Sequence, residues 1–194
     1  MDFWSMSIPV MVDAKGYLNP EDIRTIISKG KNLRDRLLML ILWATGCRLN
    51  EMLMLTVEDV SWDESVLYLW TLKRKRPYQR IVIVDGITLD LIRKYMQVYH
   101  ISKGKLFDIT DRRVRQIVYE AGALAGFPRV GSKKFHPTHF RHSHCIAWVR
   151  ENKTMAGLKT LQKRMGHADI NSTAYYLQFA ARDQEETVKR LFVE

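Results

Sequence analysis

The chain has 194 residues, of which 46% are hydrophobic, a proportion that suits one substantial globular core. Its 31 Lys and Arg residues outnumber its 21 Asp and Glu residues, so the formal net charge is +10. This charge predicts a polyanionic partner, with nucleic acid ahead of an acidic membrane surface, although a merely solvated basic face would give the same total.

Other bulk features argue against secretion, membrane insertion and a disulfide framework. The first residues have no basic start typical of a signal peptide, and the longest apolar run, Leu37 to Thr45, is too short to span a bilayer. Cys47 and Cys145 lie in apolar, helix-like stretches, which favours two buried thiols over a disulfide bond. We therefore expect a cytoplasmic protein.

The first quarter of the chain predicts three helices after an arm or linker of residues 1–16. Asn19 can cap the first helix and Pro20 suits its first position. A glycine then separates each helix from the next, so the predicted helices are 20–29, 33–44 and 48–55. A buried stripe is expected on the second helix, formed by Leu37, Leu40, Ile41 and Ala44.

A small antiparallel sheet is predicted next. Residues 66–71 and 80–84 alternate or are β-branched, and the basic loop 73–78 joins them as a hairpin, with a short strand near 57–60 beside them. The remainder predicts helices at 87–99, 111–125, 138–151, 155–165, 171–180 and 184–192, with a loop around residues 126–132. The predicted fold class is mainly α with a small antiparallel β-sheet, an α+β domain over residues 17–194.

Several polar residues stand where a site could form. Arg48 follows the Thr45-Gly46 break, and Glu51 lies on the same helix face, where it can hold the arginine or form an ordinary surface pair. The hairpin loop is rich in cations, which suits entry into a DNA groove, or only a solvated edge. Lys73 is the candidate for chemistry, with Lys75 in reserve.

The segment from His136 to His144 contains four histidines around Arg141. A zinc site would be the rival interpretation, but no cysteine pair is near and the spacing matches no common zinc pattern. We expect Arg141 and one histidine to face a phosphate, with His142 structural inside the helix. Further on, Tyr175 and Tyr176 point about 100° apart on a helix, so only one of them is expected to enter a cleft with His167.

Taken together, these segments resemble the catalytic domain of the tyrosine recombinases, the phage integrases and Xer-type recombinases, over roughly residues 17–179. The resemblance rests on four boxes in the family's order: Ala44-Thr-Gly-Cys-Arg48-Leu-Asn-Glu51, Thr71-Leu-Lys73 with Arg80-Ile-Val-Ile-Val, Phe140-Arg141-His142-Ser143, and Met165-Gly-His167 with Thr173 and Tyr176. One position departs from the family, which usually has a histidine three residues before the second arginine. Thr138 stands there, and His139 lies one step closer.

The resemblance implies a site-specific recombinase or integrase that needs no metal and no cofactor. Tyr176 would attack a DNA phosphate and form a 3′-phosphotyrosine link, releasing a 5′-hydroxyl. The implied catalytic set is Arg48, Lys73, His139, Arg141, His167 and Tyr176, with Glu51 in support. The candidate DNA contacts are Arg74, Lys75, Arg76, Arg80, Lys133 and Lys134.

Double-stranded DNA is the expected partner, with a tetramer on DNA and a monomer as the possible free state. Residues 182–194 are predicted as a helix that docks either on a neighbouring protomer or on its own domain. The family's separate DNA-clamping domain has no counterpart in residues 1–16, so the chain is either a catalytic fragment or a short form.

Three alternatives remain open at this stage. A DNA-binding module without catalysis would use residues 155–177 as a helix-turn-helix. A topoisomerase-like enzyme would use the same active-site residues to relax DNA. A hydrolase with zinc on the histidine cluster would lose activity with a chelator.

Overall fold

The computed structural model describes residues 16–71 and 77–178. Helix α1 (Pro20–Ser28) begins where the sequence predicts, because the Asn19 side chain accepts hydrogen bonds from the backbone N–H groups of Glu21 and Asp22. The other helices are α2 (Leu33–Thr45), α3 (Leu49–Leu53), α4 (Gly86–Val98), α5 (Asp111–Leu124), α6 (Pro137–Glu151), α7 (Met155–Met165) and α8 (Asn171–Ala174). None of the helices in this part of the chain is long and apolar enough to cross a membrane.

Helix α2 is the centre of the core and packs against α1, α3, α4, α5 and α6. The side chains of Leu37, Leu38, Met39, Ile41 and Leu42 are all fully buried, so the helix is covered on most of its circumference. The predicted single stripe is therefore too narrow: Leu40 and Ala44 are only partly buried. The mainly helical fold class predicted from the sequence is confirmed.

A three-stranded antiparallel sheet, in the order β1-β2-β3, covers one side of the core. It consists of β1 (Val60–Ser61), β2 (Val66–Thr71) and β3 (Tyr78–Ile83), and Leu69 pairs with Arg80 in its register. The predicted hairpin is confirmed, but most of the predicted strand at 57–60 is wrong. Val57–Asp59 forms a single 3-10 turn, because the Asp59 carboxylate accepts hydrogen bonds from the backbone and hydroxyl of Thr56.

Two further differences concern the second half. The predicted loop contains a two-stranded hairpin, β4 (Arg129–Val130) and β5 (Lys133–Lys134). The predicted helix at 171–180 is interrupted, since α8 ends at Ala174, a turn carries the two tyrosines that follow, and residues 177 and 178 are helical again. Residues 179 and 180 lie outside the described residues. The predicted arm at the start and the predicted helix at 184–192 lie outside the described residues, apart from Gly16.

Candidate active site

The first arginine of the site begins a helix rather than lying inside one. Gly46 ends α2 in the left-handed conformation, at a φ of 61°, and the chain turns so that Arg48 is the N-cap of α3. The Glu51 carboxylate accepts a hydrogen bond from Arg48 Nη1 at 2.9 Å and another from its backbone N–H at 3.0 Å. Because Glu51 is only 1% exposed, the contact is not an ordinary surface pair, and the carboxylate holds Arg48 in place.

Arg80 is the second partner of Glu51, and here the structure corrects the sequence-based assignment. Its Nη2 donates to Glu51 Oε2 at 2.7 Å, its Nη1 to Thr71 Oγ1 and its Nε to the carbonyl of Arg164. The side chain is only 4% exposed, so it does not offer a charge to DNA as predicted. Its charge instead balances the buried carboxylate.

Opposing effects act on the ionisation of Glu51. Burial alone raises the pKa of this carboxyl, but the charge of Arg80 and the hydrogen bonds from Arg48 and Arg80 outweigh burial and leave the pKa below its usual value. The residue is therefore a carboxylate at neutral pH and fixes both guanidinium groups.

The second arginine of the site, Arg141, lies in the first turns of α6 and is buried. Its guanidinium donates to the carbonyl of Gly46 at 2.7 Å and to the carbonyl of Met165 at 2.9 Å. These carbonyls end α2 and α7, where helices leave their last carbonyl groups unpaired. Arg141 thus joins the ends of two helices and is held in one orientation by them.

Arg48 and Arg141 line one cleft of about 360 Å³. Arg115 and His142 contribute to the same walls, so three arginines and a histidine surround the space. The three guanidinium groups, which stay charged at neutral pH, suit a phosphate group. The full lining comprises Cys47, Arg48, Leu49, Asn50, Glu51, Arg115, Pro137, Thr138, Arg141 and His142.

His167 belongs to the same positively charged region. It follows Gly166, which ends α7 in the left-handed conformation at a φ of 63°, and its Nδ1 lies 2.8 Å from Thr173 Oγ1. Burial, followed by the charges of Arg141, Arg48 and Arg80, lowers the pKa of His167 to about 4. A neutral imidazole at neutral pH is therefore available to hydrogen-bond an anion.

The two tyrosines differ as their positions on the turn require. Tyr175 is 51% exposed, whereas Tyr176 is 5% exposed and its ring lies parallel to that of His167, with the centroids 6.5 Å apart. The Tyr176 hydroxyl lies 3.0 Å from His142 Nδ1. Burial and the neighbouring Cys145 raise the pKa of Tyr176 above its usual value, so the phenol is protonated at neutral pH.

His139 does not occupy the position that the sequence-based assignment gives it. The ring is 4% exposed, and its Nδ1 accepts a hydrogen bond from the backbone N–H of His136 at 3.0 Å, which caps the start of α6. Burial and the neighbouring His136 lower its pKa to about 4. Thr138, not His139, is among the residues that line the cleft.

The sequence did not indicate a role for two arginines of this region, Arg115 and Arg164. Arg115 of α5 reaches the cleft while paired with Asp111 at 2.5 Å, and nothing in its local sequence separates it from the neighbouring arginines. Arg164 donates to the carbonyls of Ala44 and Ile83 and so ties α7 to α2 and β3. The basic end of α7 was its only sequence signal.

The structure says less about the predicted lysine of the site and the remaining predicted DNA contacts. Lys73, Arg74, Lys75 and Arg76 lie outside the described residues, between β2 and β3. Lys133 and Lys134 are exposed on β5. Within residues 16–71 and 77–178, no group of three or more His, Cys, Asp or Glu side chains is arranged to hold a metal ion.

Comparison with known proteins identifies the family to which the chain belongs. The sequence model described as the phage integrase family matches residues 16–182. The chain belongs to this family. The resemblance to tyrosine recombinases predicted from the four boxes is therefore confirmed.

Individual relatives are distant but cover most of the chain. Tyrosine recombinase XerA of Pyrococcus horikoshii is 24% identical over 177 residues, which cover 89% of this chain and 60% of the relative. The crystal structure of the XerH recombinase bound to its palindromic difH substrate, a post-cleavage complex, superposes with a TM-score of 0.73 at 22% identity, covering 89% of this chain and 52% of that one. The catalytic domain of bacteriophage HP1 integrase superposes with a TM-score of 0.64 at 24% identity, covering 89% of this chain and 93% of that one.

The identities and coverages show how much of the fold and of the chain length is shared with these proteins. At such identities the structural likeness establishes the fold, which is that of the recombinase catalytic domains. The chain spans about 60% of the length of the XerA relative but nearly the whole of the HP1 catalytic domain. The range matched by the family model, residues 16–182, includes the residues of the arginine cleft and Tyr176.

Proposed function

We propose that the protein cleaves and rejoins DNA at specific sites through a covalent 3′-phosphotyrosine link on Tyr176. The observation that carries this proposal is the shared cleft of Arg48 and Arg141, with the Tyr176 hydroxyl in contact with a third residue of that cleft, His142. Membership of the phage integrase family, and a fold shared with recombinases solved on DNA, support double-stranded DNA as the substrate.

The chemistry follows from the charges around the cleft. Guanidinium forks stay charged at neutral pH and match phosphate oxygens in two-pronged hydrogen bonds, so Arg48 and Arg141 would stabilise the charge that grows on phosphorus during attack. His167 would donate a hydrogen bond to the same phosphate, and Lys73 would protonate the departing 5′-oxygen. Because the phosphotyrosine bond retains the energy of the broken bond, a second DNA hydroxyl reverses the step without ATP or metal.

The tyrosine and the phosphate must approach each other before attack. Tyr176 is buried and does not line the cleft, although its hydroxyl contacts a cleft residue. We infer that DNA binding brings the phosphate to the cleft and allows the tyrosine to reach it. The basic loop 73–76, together with Arg115, Lys133 and Lys134, would hold the DNA backbone on either side.

Strand exchange between two duplexes requires four active sites, so we infer a tetramer on DNA. Residues 182–194 would then link protomers by docking in trans, with docking in cis as the alternative. Because the proposed reaction takes place on DNA, we infer that the protein acts at the nucleoid in the cytoplasm.

The decisive experiment captures the covalent adduct. A pool of nicked duplexes with a randomised centre loses a short oligonucleotide after cleavage, so the link is trapped and survives denaturing gels. We expect an adduct with the wild-type chain and with Tyr175→Phe, and none with Tyr176→Phe, equally in the presence of EDTA. Sequencing the trapped DNA then identifies the site.

The alternatives give different results. Salt-sensitive DNA binding without an adduct would show a binding module and refute the proposal. An adduct that leads to relaxed plasmid but to no recombinant product would indicate a topoisomerase-like enzyme. Loss of activity in EDTA would indicate metal-dependent hydrolysis.

A further inference from the structure

Two side chains of α6 reach the hydroxyl of the proposed nucleophile. His142 Nδ1 lies 3.0 Å from Tyr176 Oη, and the Cys145 thiol hydrogen-bonds the same hydroxyl. His142 is also part of the cleft wall beside Arg48 and Arg141. Within the described part of the chain, His142 is therefore the cleft residue that contacts the reacting oxygen.

The chemistry of these two groups differs. The buried phenol has a pKa above its usual value and must lose its proton to a base during attack. Burial raises the pKa of Cys145 to about 12, so it stays a thiol that cannot accept a proton at neutral pH. Burial, and then the charge of Arg141, lowers the pKa of His142, so its imidazole is neutral and has a free lone pair.

The surroundings of His142 favour this neutral form. The charged and titratable groups that face it are Arg141, His136 and His139 of α6, Lys133 of β5, and Tyr176. Glu51, the carboxylate of the same cleft lining, is paired with Arg48 and Arg80, so its negative charge is balanced and does not favour an imidazolium. The Tyr176 hydroxyl donates to Nδ1 in the tautomer whose ring proton is on Nε2, and that tautomer is the one that the proposal below requires.

The two positions that the family pattern would use cannot supply a base from the cleft. Thr138 lines the cleft but has no group that titrates near neutral pH. His139 is outside the lining, and its Nδ1 is engaged in the helix cap. A helical turn separates residues 138 and 142, so both side chains lie on one face of α6.

We propose that His142 is the general base of DNA cleavage in this protein. As Tyr176 Oη forms its bond to phosphorus, the phenolic proton passes to His142 Nδ1. The bond from phosphorus to the 5′-oxygen breaks, and that oxygen keeps the electron pair and takes a proton from Lys73. The assignment rests on the proposed function, and the reverse steps return both protons during ligation.

The test is the pH dependence of single-turnover cleavage of the captured nicked site. The wild-type rate should be level from about pH 7 to about pH 9, since the base is already neutral. His142→Asn retains a hydrogen-bonding atom near Nδ1 but accepts no proton. We expect it to be slower by about 10² to 10⁴-fold at pH 7, with a rate that rises about tenfold per pH unit as hydroxide replaces the base.

Chemical rescue provides a second measurement, which a merely structural role would not produce. His142→Ala leaves space at the ring position, and added imidazole should restore its rate in proportion to the concentration of neutral imidazole. His139→Asn is the matched control in the same helix and should keep the level wild-type profile. Melting curves of each variant confirm folding before the rates are compared.

Each outcome is decisive. A loss in His142→Asn that is equal at every pH, a wild-type rate, or a rising profile in His139→Asn would overturn the assignment while the proposed function stands. An adduct missing from the wild-type chain itself would overturn both. A rising profile in His142→Asn together with imidazole rescue would establish it.

Discussion

Replacing Glu51 by Gln should destabilise the fold strongly, although the side chain keeps its size and shape. The carboxylate and its partner Arg80 are 1% and 4% exposed, and their atoms lie 2.7 Å apart. Gln leaves the Arg80 charge buried without a counter-ion, a loss of about 3 to 5 kcal/mol for a pair of this kind. We expect about 3 kcal/mol, since Arg80 keeps its bonds to Thr71 and the carbonyl of Arg164.

The assay is urea unfolding at pH 7, with the free energy taken from the midpoint at a constant slope. Asp90→Asn is the matched control, because Asp90 forms a similar pair with Arg93 on the surface, with side chains 75% and 52% exposed. Its loss should be within about 0.5 kcal/mol.

The same pair predicts how the difference varies with pH. The pKa of Glu51 is lower in the folded chain than its usual value, so its contribution is present above the unfolded pKa and lost as pH falls through the folded pKa. The difference between wild type and Glu51→Gln should stay constant down to about pH 5 and shrink below about pH 4. A variant no less stable than Asp90→Asn, or a difference that persists in acid, would refute the reasoning.

Two further predictions concern stability. Burial lowers the pKa of His144 to about 3, so below about pH 6.5 the unfolded chain binds a proton that the folded chain does not. Unfolding free energy should therefore fall as pH drops from 6.5, by up to about 1.4 kcal/mol per pH unit from this residue, and His144→Gln should have a shallower dependence in pH-dependent urea titrations. Gly46→Ala should melt at a clearly lower temperature than Gly104→Ala in calorimetry. Both glycines have positive φ, at 61° and 73°, but an added Cβ at 46 would meet His144 at 2.8 Å whereas nothing lies within 4 Å at 104. Equal melting temperatures would contradict this account.

The sequence was sufficient for the parts of the site that depend on local signals. Gly46 and Gly166 mark the ends of α2 and α7, and these breaks correctly located Arg48 and His167 at helix boundaries. The alternation in β2 and the basic loop likewise located the hairpin. Such signals act over a few residues and need no knowledge of what packs against them.

The errors arose where the direction of a side chain decides its role. Arg80 is one of the predicted DNA contacts, yet in β3 it shares the inward face with Val82, while Ile81 points outward. In α6, residues 138, 141 and 142 lie within an arc of about 100°, and His139 lies outside that arc, about 60° from His142 and about 160° from Arg141. The period of β3 does not decide which face is inward, because the exposed face carries Ile81 and Ile83.

Arg115 could not have been found in this way. It approaches Arg141 only because α5 and α6 pack around the central α2, a consequence of the tertiary fold that no local period encodes.

The two hydrogen bonds from the Arg141 guanidinium to the ends of α2 and α7 make substrate binding and folding interdependent. The guanidinium that would hold a phosphate is also the joint between the early and late halves of the chain. An anion bound to Arg141 would therefore stabilise the folded state, and the melting temperature of the bound protein would be higher than that of the free protein. Conversely, a variant with a substitution at Arg141 would lose part of its activity because the fold is less stable, and only part because the phosphate contact is missing.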